Sequence, residues 1–162
     1  MAAARLPWHA FVRSADDAEA VAASRAALPG ANLIERRMLA AALRGLDDAR
    51  ERRRGNYAYL AGRLAACEDV APLFPDPPVE ACPWLLPLVV AGGSAGLVKR
   101  LRQRGVPAGT WPDLPREVVA DVATHRAAIQ LRHRLLTLPV RQDMTLAKLD
   151  YMADALLTVA SG

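Results

Sequence analysis

Few residues of this chain have the type and spacing that chemistry requires. His9, His125 and His133 stand apart in the sequence, and none lies in an HExxH or comparable metal pattern. His125 and His133 fall two turns apart on one predicted helix, too far for that helix alone to offer both to one metal, and they read as surface or satisfied core histidines. Cys67 and Cys82 lack a CxxC or any metal-ligand spacing, so they read as buried, reduced thiols. Gly92-Gly93-Ser94-Ala95-Gly96 opens a predicted helix, where free backbone N–H groups could meet a phosphate. It has neither GxGxxG nor GK[ST] spacing, and a turn followed by Ser94 as N-cap accounts for the same residues. Lys99 and Lys148, the only lysines, fall on predicted helices at positions natural for solvated amines. The run Arg52, Arg53, Arg54 has two readings: a solvated face paired with Asp47, Asp48 and Glu51, or a contact for an anionic ligand or partner. There is no GxSxG elbow and no carboxylate pair in a predicted cleft. Taken alone, the sequence shows no self-sufficient active site.

The totals narrow the class. With 162 residues, 52% of them apolar, the chain can bury one substantial core and is not of disordered composition. Its net charge of +4 comes from an arginine-rich, alanine-rich composition with acidic residues interspersed. No basic stripe interleaved with aromatics appears, which argues against a nucleic-acid partner. The N-terminus MAAARLPWHAFVRSADD has no continuous apolar core of a signal peptide. The longest apolar run, Trp84 to Ala91, is interrupted by Pro87 and is too short to span a bilayer. These features together predict a cytoplasmic protein without a membrane partner.

The candidate residues must be positioned by a small set of elements. An N-terminal segment, residues 1–29, holds an alanine-rich helix from Trp8 to Leu28 that Pro29-Gly30 stops. Asn32 to Ala66 then reads as one long helix of roughly 50 Å at 1.5 Å per residue. Met38, Ala42, Leu46, Ala49, Arg53, Tyr57, Leu60 and Leu64 recur at helical spacing on one face, with Gly45 and Gly55 as points where the helix can bend or break. The connector APLFPDPPVEACP contains five prolines and reads as an extended spacer. Trp84–Ala91, Val106–Trp111 and Leu135–Val140 are strand candidates, the first demoted towards an edge or bulge by Pro87. Between them lie a helix after Ser94, with Leu97, Val98 and Leu101 inward and Gly105 ending it, and a segment that becomes helical by about Asp121. A closing helix is capped by Asp143 or Thr145. The fold class is therefore α/β (α+β): a small three-stranded sheet covered by helices, with one long helix in the N-terminal half.

Three segments in order resemble the C-terminal small domain of fold-type-I, pyridoxal-phosphate-dependent sugar aminotransferases of the DegT/StrS kind. GANLIERRMLAAALRGLDDARERRRGNYAYLAGRLA is similar to the family's Gly-x-Asn turn, alanine pair and long helix ending in an Arg-Arg-x-x-Asn-x-x-Tyr run. RGVPAGTWPDLP resembles its Gly-Ile/Val strand and aromatic-Pro turn, and LRHRLLTLPVRQDMTLAKLDYMADAL its Leu-x-Leu-Pro strand and closing helix. The resemblance covers roughly residues 30 to 157 and makes 30–162 an aminotransferase-like small domain. It implies transfer of an amino group to a keto group on a nucleotide-linked sugar, with pyridoxal phosphate as cofactor. By position, Asn32 matches the asparagine that reaches the cofactor phosphate of the neighbouring subunit. Trp111 matches the aromatic near the substrate, and Arg141 the polar residue after the Leu-Pro strand. Each has a plainer reading: Asn32 as a helix-start residue, Trp111 as a cover for the sheet, Arg141 as a solvated side chain.

In the family, a lysine of the large domain holds the cofactor as a Schiff base, and an aspartate of that domain pairs with the pyridine nitrogen. Nothing before Pro29 matches such a domain, Lys99 and Lys148 lie outside the family's lysine motif, and Ile34 stands where the family has arginine. The expectation is a small domain with no catalytic residue of its own, inactive alone. Its expected partner is a chain carrying the cofactor-binding large domain, or a second copy in a homo-oligomer such as a dimer. The alternative is a non-catalytic oligomerisation or binding module that uses the N-terminal helix and the exposed side of the long helix.

Overall fold

The computed structural model describes residues 32–111 and 113–160. The expected helical segment at 1–29, with His9, lies outside them. The chain divides into two units, Met1–Leu43 and Arg44–Gly162. Helix α1 (Leu33–Arg44) supplies the described part of the first. Helix α2 (Leu46–Leu64) opens the second. The helix expected over Asn32–Ala66 is thus present as two, interrupted at Gly45, whose backbone (φ −97, ψ 6) leaves the helical range. Glycine loses the most conformational freedom in a helix and gains no side-chain packing there, which makes it the natural breaking point. Gly55 stays within α2 without a break.

The expected packing face is only partly used. Tyr57, Leu60 and Leu64 are buried, whereas Met38 and Leu46 are 68% and 52% exposed. The next elements are β1 (Val70–Pro72), β2 (Leu85–Val90), α3 (Ala95–Gln103), α4 (Arg116–Ala120), α5 (Val122–Arg134), β3 (Leu135–Pro139) and α6 (Leu146–Ala160). The three strands form an antiparallel sheet in the order β1-β2-β3, so the architecture is α+β. Leu86, Leu88 and Val90 alternate into the core from β2, as the two-residue period of a strand requires. There they meet Leu60 and Leu64 of α2, Leu97, Val98 and Leu101 of α3, and Leu149, Met152 and Leu156 of α6. Gly105, with φ +75, follows α3 in the left-handed conformation expected of a helix-ending glycine.

Two strand expectations need correction. The proline-rich connector is not wholly a spacer, because Val70–Pro72 within and before it forms β1 beside β2. Val106–Trp111 is no strand: it makes one isolated bridge, Gly109 to Thr137. Ala108 donates its N–H to the Val106 carbonyl (2.8 Å), an i→i+2 turn around Pro107 that bends the chain away from an extended path. Pro87, expected to push its strand to an edge, sits in the central strand. It faces Thr137, whose N–H and C=O are turned away to Gly109 (2.8 and 2.9 Å), so the missing proline N–H is not needed on that side. On the other side its carbonyl accepts from Leu73 N–H (2.9 Å), where β1 has already ended.

Two further expectations change. Cys82 is exposed and Cys67 is partly buried, so neither is a fully buried thiol, and both are free. Thr145, not Asp143, caps α6: its Oγ1 accepts from Lys148 N–H at 3.4 Å. The segment expected to become helical by about Asp121 is already helical in α4, and Asp121 caps α5, accepting from Thr124 N–H at 3.1 Å.

Tyr57 ties the core to the connector. Its hydroxyl donates to the Phe74 carbonyl (2.6 Å), and burial pushes its pKa up to about 12. An unfolded tyrosine ionises near pH 10, at about its ordinary value. The contribution of Tyr57 is therefore fully present below pH 10 and is lost as pH rises towards 12, because unfolding in that window releases a proton. Denaturant titrations are expected to show stability falling between those pH values, with a shallower fall in Tyr57→Phe. Equal slopes for the two proteins would contradict this assignment.

Candidate functional site

Asn32 belongs to the first unit, and Trp111 and Arg141 belong to the second. Asn32 begins α1. Its Oδ1 accepts from Glu35 N–H (2.9 Å), and Glu35 Oε2 accepts from Asn32 N–H (2.8 Å), a reciprocal capping box that satisfies two helix-start donors. Trp111 is 57% exposed and lies beyond the Gly109 bridge. Because that bridge is antiparallel, the chain at Trp111 heads towards the Leu135 end of β3, while Arg141 follows its Pro139 end. Arg141 and Trp111 are therefore not brought into one cluster.

Arg141 stands in the loop between β3 and α6, held by its own loop and by α2. Its guanidinium grips Asp143 with two hydrogen bonds, Nε to Oδ1 at 2.9 Å and Nη2 to Oδ2 at 2.7 Å. These bonds hold the Asp143 carboxyl below its usual range and raise the arginine in turn. A bidentate pair of this kind fixes side-chain orientation as well as charge. Asn56 Nδ2 donates to the Arg141 carbonyl (2.7 Å), and Arg53 Nε donates to Gln142 Oε1 (2.7 Å). One turn further along α2, Tyr59 donates to Asp150 Oδ1 (2.6 Å), and Arg63 pairs with both Asp150 and Asp154. The Arg-Arg-x-x-Asn-x-x-Tyr run is thus the brace that holds the β3–α6 loop and the closing helix.

The arginine run is only partly the expected solvated face, and its remaining bonds go to this chain's own connector and loop. Arg52 pairs with Asp48 on its own helix (3.0 Å), as a solvated face would. Arg54 instead donates to the carbonyls of Pro78 and Ala81 (2.6 and 3.3 Å) and holds the connector down. Ser94 is buried and does not cap α3 with its side chain: its N–H and Oγ both donate to the His133 carbonyl (2.9 and 3.1 Å). These two bonds tie the turn before α3 to the end of α5. Among the described residues no three His, Cys, Asp or Glu side chains converge on a metal site, and no helix is long and apolar enough to cross a membrane.

Beside the Arg141 loop lies an open groove of about 710 Å³. Trp84 from the start of β2, Val106 and Pro107, and Met144, Lys148 and Tyr151 around the start of α6 form its walls. Trp84 is 66% and Tyr151 54% exposed, large areas for aromatic side chains. Tyr151 is pinned by donating its hydroxyl to the Arg104 carbonyl (2.6 Å).

No protein-family model matches the sequence, and none of the curated proteins does. Solved structures do match. The chain is similar to Spr1654 of Streptococcus pneumoniae, described as a sugar aminotransferase and solved in a PMP form, at 18% identity and TM-score 0.64, covering 74% of this chain and 32% of that one. It is similar to the sugar aminotransferase CalS13 of Micromonospora echinospora at 21% identity and TM-score 0.60, with the same shares covered. A third match is PseC of Helicobacter pylori, an aminotransferase of pseudoaminic acid biosynthesis, at 14% identity and TM-score 0.63, covering 74% and 34%. The fold is that of the small domain of sugar aminotransferases. The chain spans about a third of the length of these proteins. Within this small domain the brace residues were visible in the sequence as a motif, but their roles were not, because each acts on a segment more than 80 residues away. The groove walls carried no signal beyond single exposed aromatics.

Proposed function

We propose that this chain is the small domain of a cytoplasmic, pyridoxal-phosphate-dependent aminotransferase acting on keto sugars of the nucleotide-linked kind. The observation that carries the reading is the fold match to several sugar aminotransferases, each over about a third of its length. Among the described residues neither lysine is enclosed: Lys99 is exposed on α3, and Lys148 lines the open groove beside the Arg141–Asp143 pair. At the start of α1, Glu35 already occupies the Asn32 N–H, so a phosphate arriving there would meet a carboxylate. The Schiff-base lysine would be supplied by a large domain outside these 162 residues. The test is to mix the purified chain with one equivalent of pyridoxal phosphate, reduce with borohydride, and map lysines by mass spectrometry. No stoichiometric adduct is expected. A single complete adduct at Lys99 or Lys148 would overturn the proposal that the lysine lies elsewhere.

A second reading, an oligomerisation module, is favoured by α1. Leu33, Ile34, Met38, Leu39 and Leu43 are each more than half exposed, an apolar surface of the kind that marks an association site. A second copy of the chain would cover it. Sedimentation of the purified chain would then give a dimer or higher species, reduced to a monomer by Ile34→Lys with Met38→Lys. A wild-type monomer, or an oligomer unchanged by the two lysines, would contradict this reading.

A further inference from the structure

We propose that the groove beside the Arg141 loop binds a small organic anion with a flat, apolar body. The inference stands whether or not the chain completes an aminotransferase. Three observations converge on it. The walls offer two exposed aromatic rings, Trp84 and Tyr151, and the thioether of Met144, surfaces that pack against a planar ring system. The walls are also held in place before any ligand arrives. Tyr151 is fixed through the Arg104 carbonyl, Arg141 through Asp143 and Asn56, and the Trp84 backbone through its carbonyl, which accepts from Val140 N–H (3.2 Å). Finally, the groove keeps a net positive charge. Arg141 and Asp143 neutralise each other, and Lys148, whose charge also acts on the Asp143 carboxyl, has no carboxylate within ion-pair distance among the described residues.

A ligand that fits lays its ring between the aromatic walls and sets its carboxylate or phosphate at the Lys148 ammonium. Pre-positioned walls lower the ordering cost of such binding, and a charge-assisted hydrogen bond supplies the preference for an anion over its neutral isostere.

The test uses indole-3-acetate and its neutral counterpart indole-3-acetamide, with binding followed by amide chemical shifts of the whole chain. The acid is expected to saturate with a Kd of about 1 mM or tighter, shifting amides of residues 104–106, 141–144 and 147–152. The amide is expected to bind about five- to tenfold more weakly, the ratio that roughly 1 kcal/mol of charge-assisted bonding gives. Lys148→Gln should abolish that ratio, and Lys99→Gln should leave it unchanged. Equal affinity for acid and amide in the wild type, absence of saturation, or shifts elsewhere on the surface would each overturn the proposal.

Discussion

The second half of α2 is the constraint on which the rest of the compact unit depends. One side of it buries Tyr57, Leu60 and Leu64 against the sheet and α6. Its remaining directions send Arg54 to the connector, Asn56 and Arg53 to the loop after β3, and Tyr59 and Arg63 to α6. The two kinds of contact do different work. Replacing a fully buried leucine such as Leu60 or Leu64 by alanine costs about 2–5 kcal/mol. The Arg63 pairs are about a third to two-thirds exposed, where solvent screens most of the attraction. The leucines therefore supply the stability, and the polar side chains fix where the connector, loop and closing helix sit on it.

The same division explains what could be read in the sequence. Periodic apolar residues specify their elements locally, so α3 with Leu97, Val98 and Leu101 inward, β2, β3 and α6 are found where the pattern puts them. Errors occur where a distant partner decides. Pro87 is tolerated in the central strand because its neighbour Thr137 bonds away to Gly109, and β1 exists because β2 has a free edge for Val70–Pro72 to fill. Met38 and Leu46 follow the helical period but lie uncovered, since a period says which residues share a face and not whether anything meets it.

The candidate site was less legible. Asn32, Trp111 and Arg141 came from a resemblance rather than from any pattern of catalytic groups. In the fold they are a helix cap, an exposed indole and one half of a bidentate ion pair. A fold hosts many functions, so the fold match fixes the scaffold and leaves the chemistry to the residues that a complete site would contain. What this chain itself holds ready is a positioned loop: Arg141 is fixed at its carbonyl by Asn56 and at its guanidinium by Asp143.

If α2, the sheet and α6 form one cooperative body clasped by α2, native-state hydrogen exchange measures it directly. Amides in Tyr57–Leu64, Leu136–Leu138 and Leu149–Leu156, with those of Leu86 and Leu88, are expected to open together, with a single free energy equal to that of global unfolding. Exchange of the α6 amides at a distinctly lower free energy than those of α2, with the sheet still protected, would contradict it.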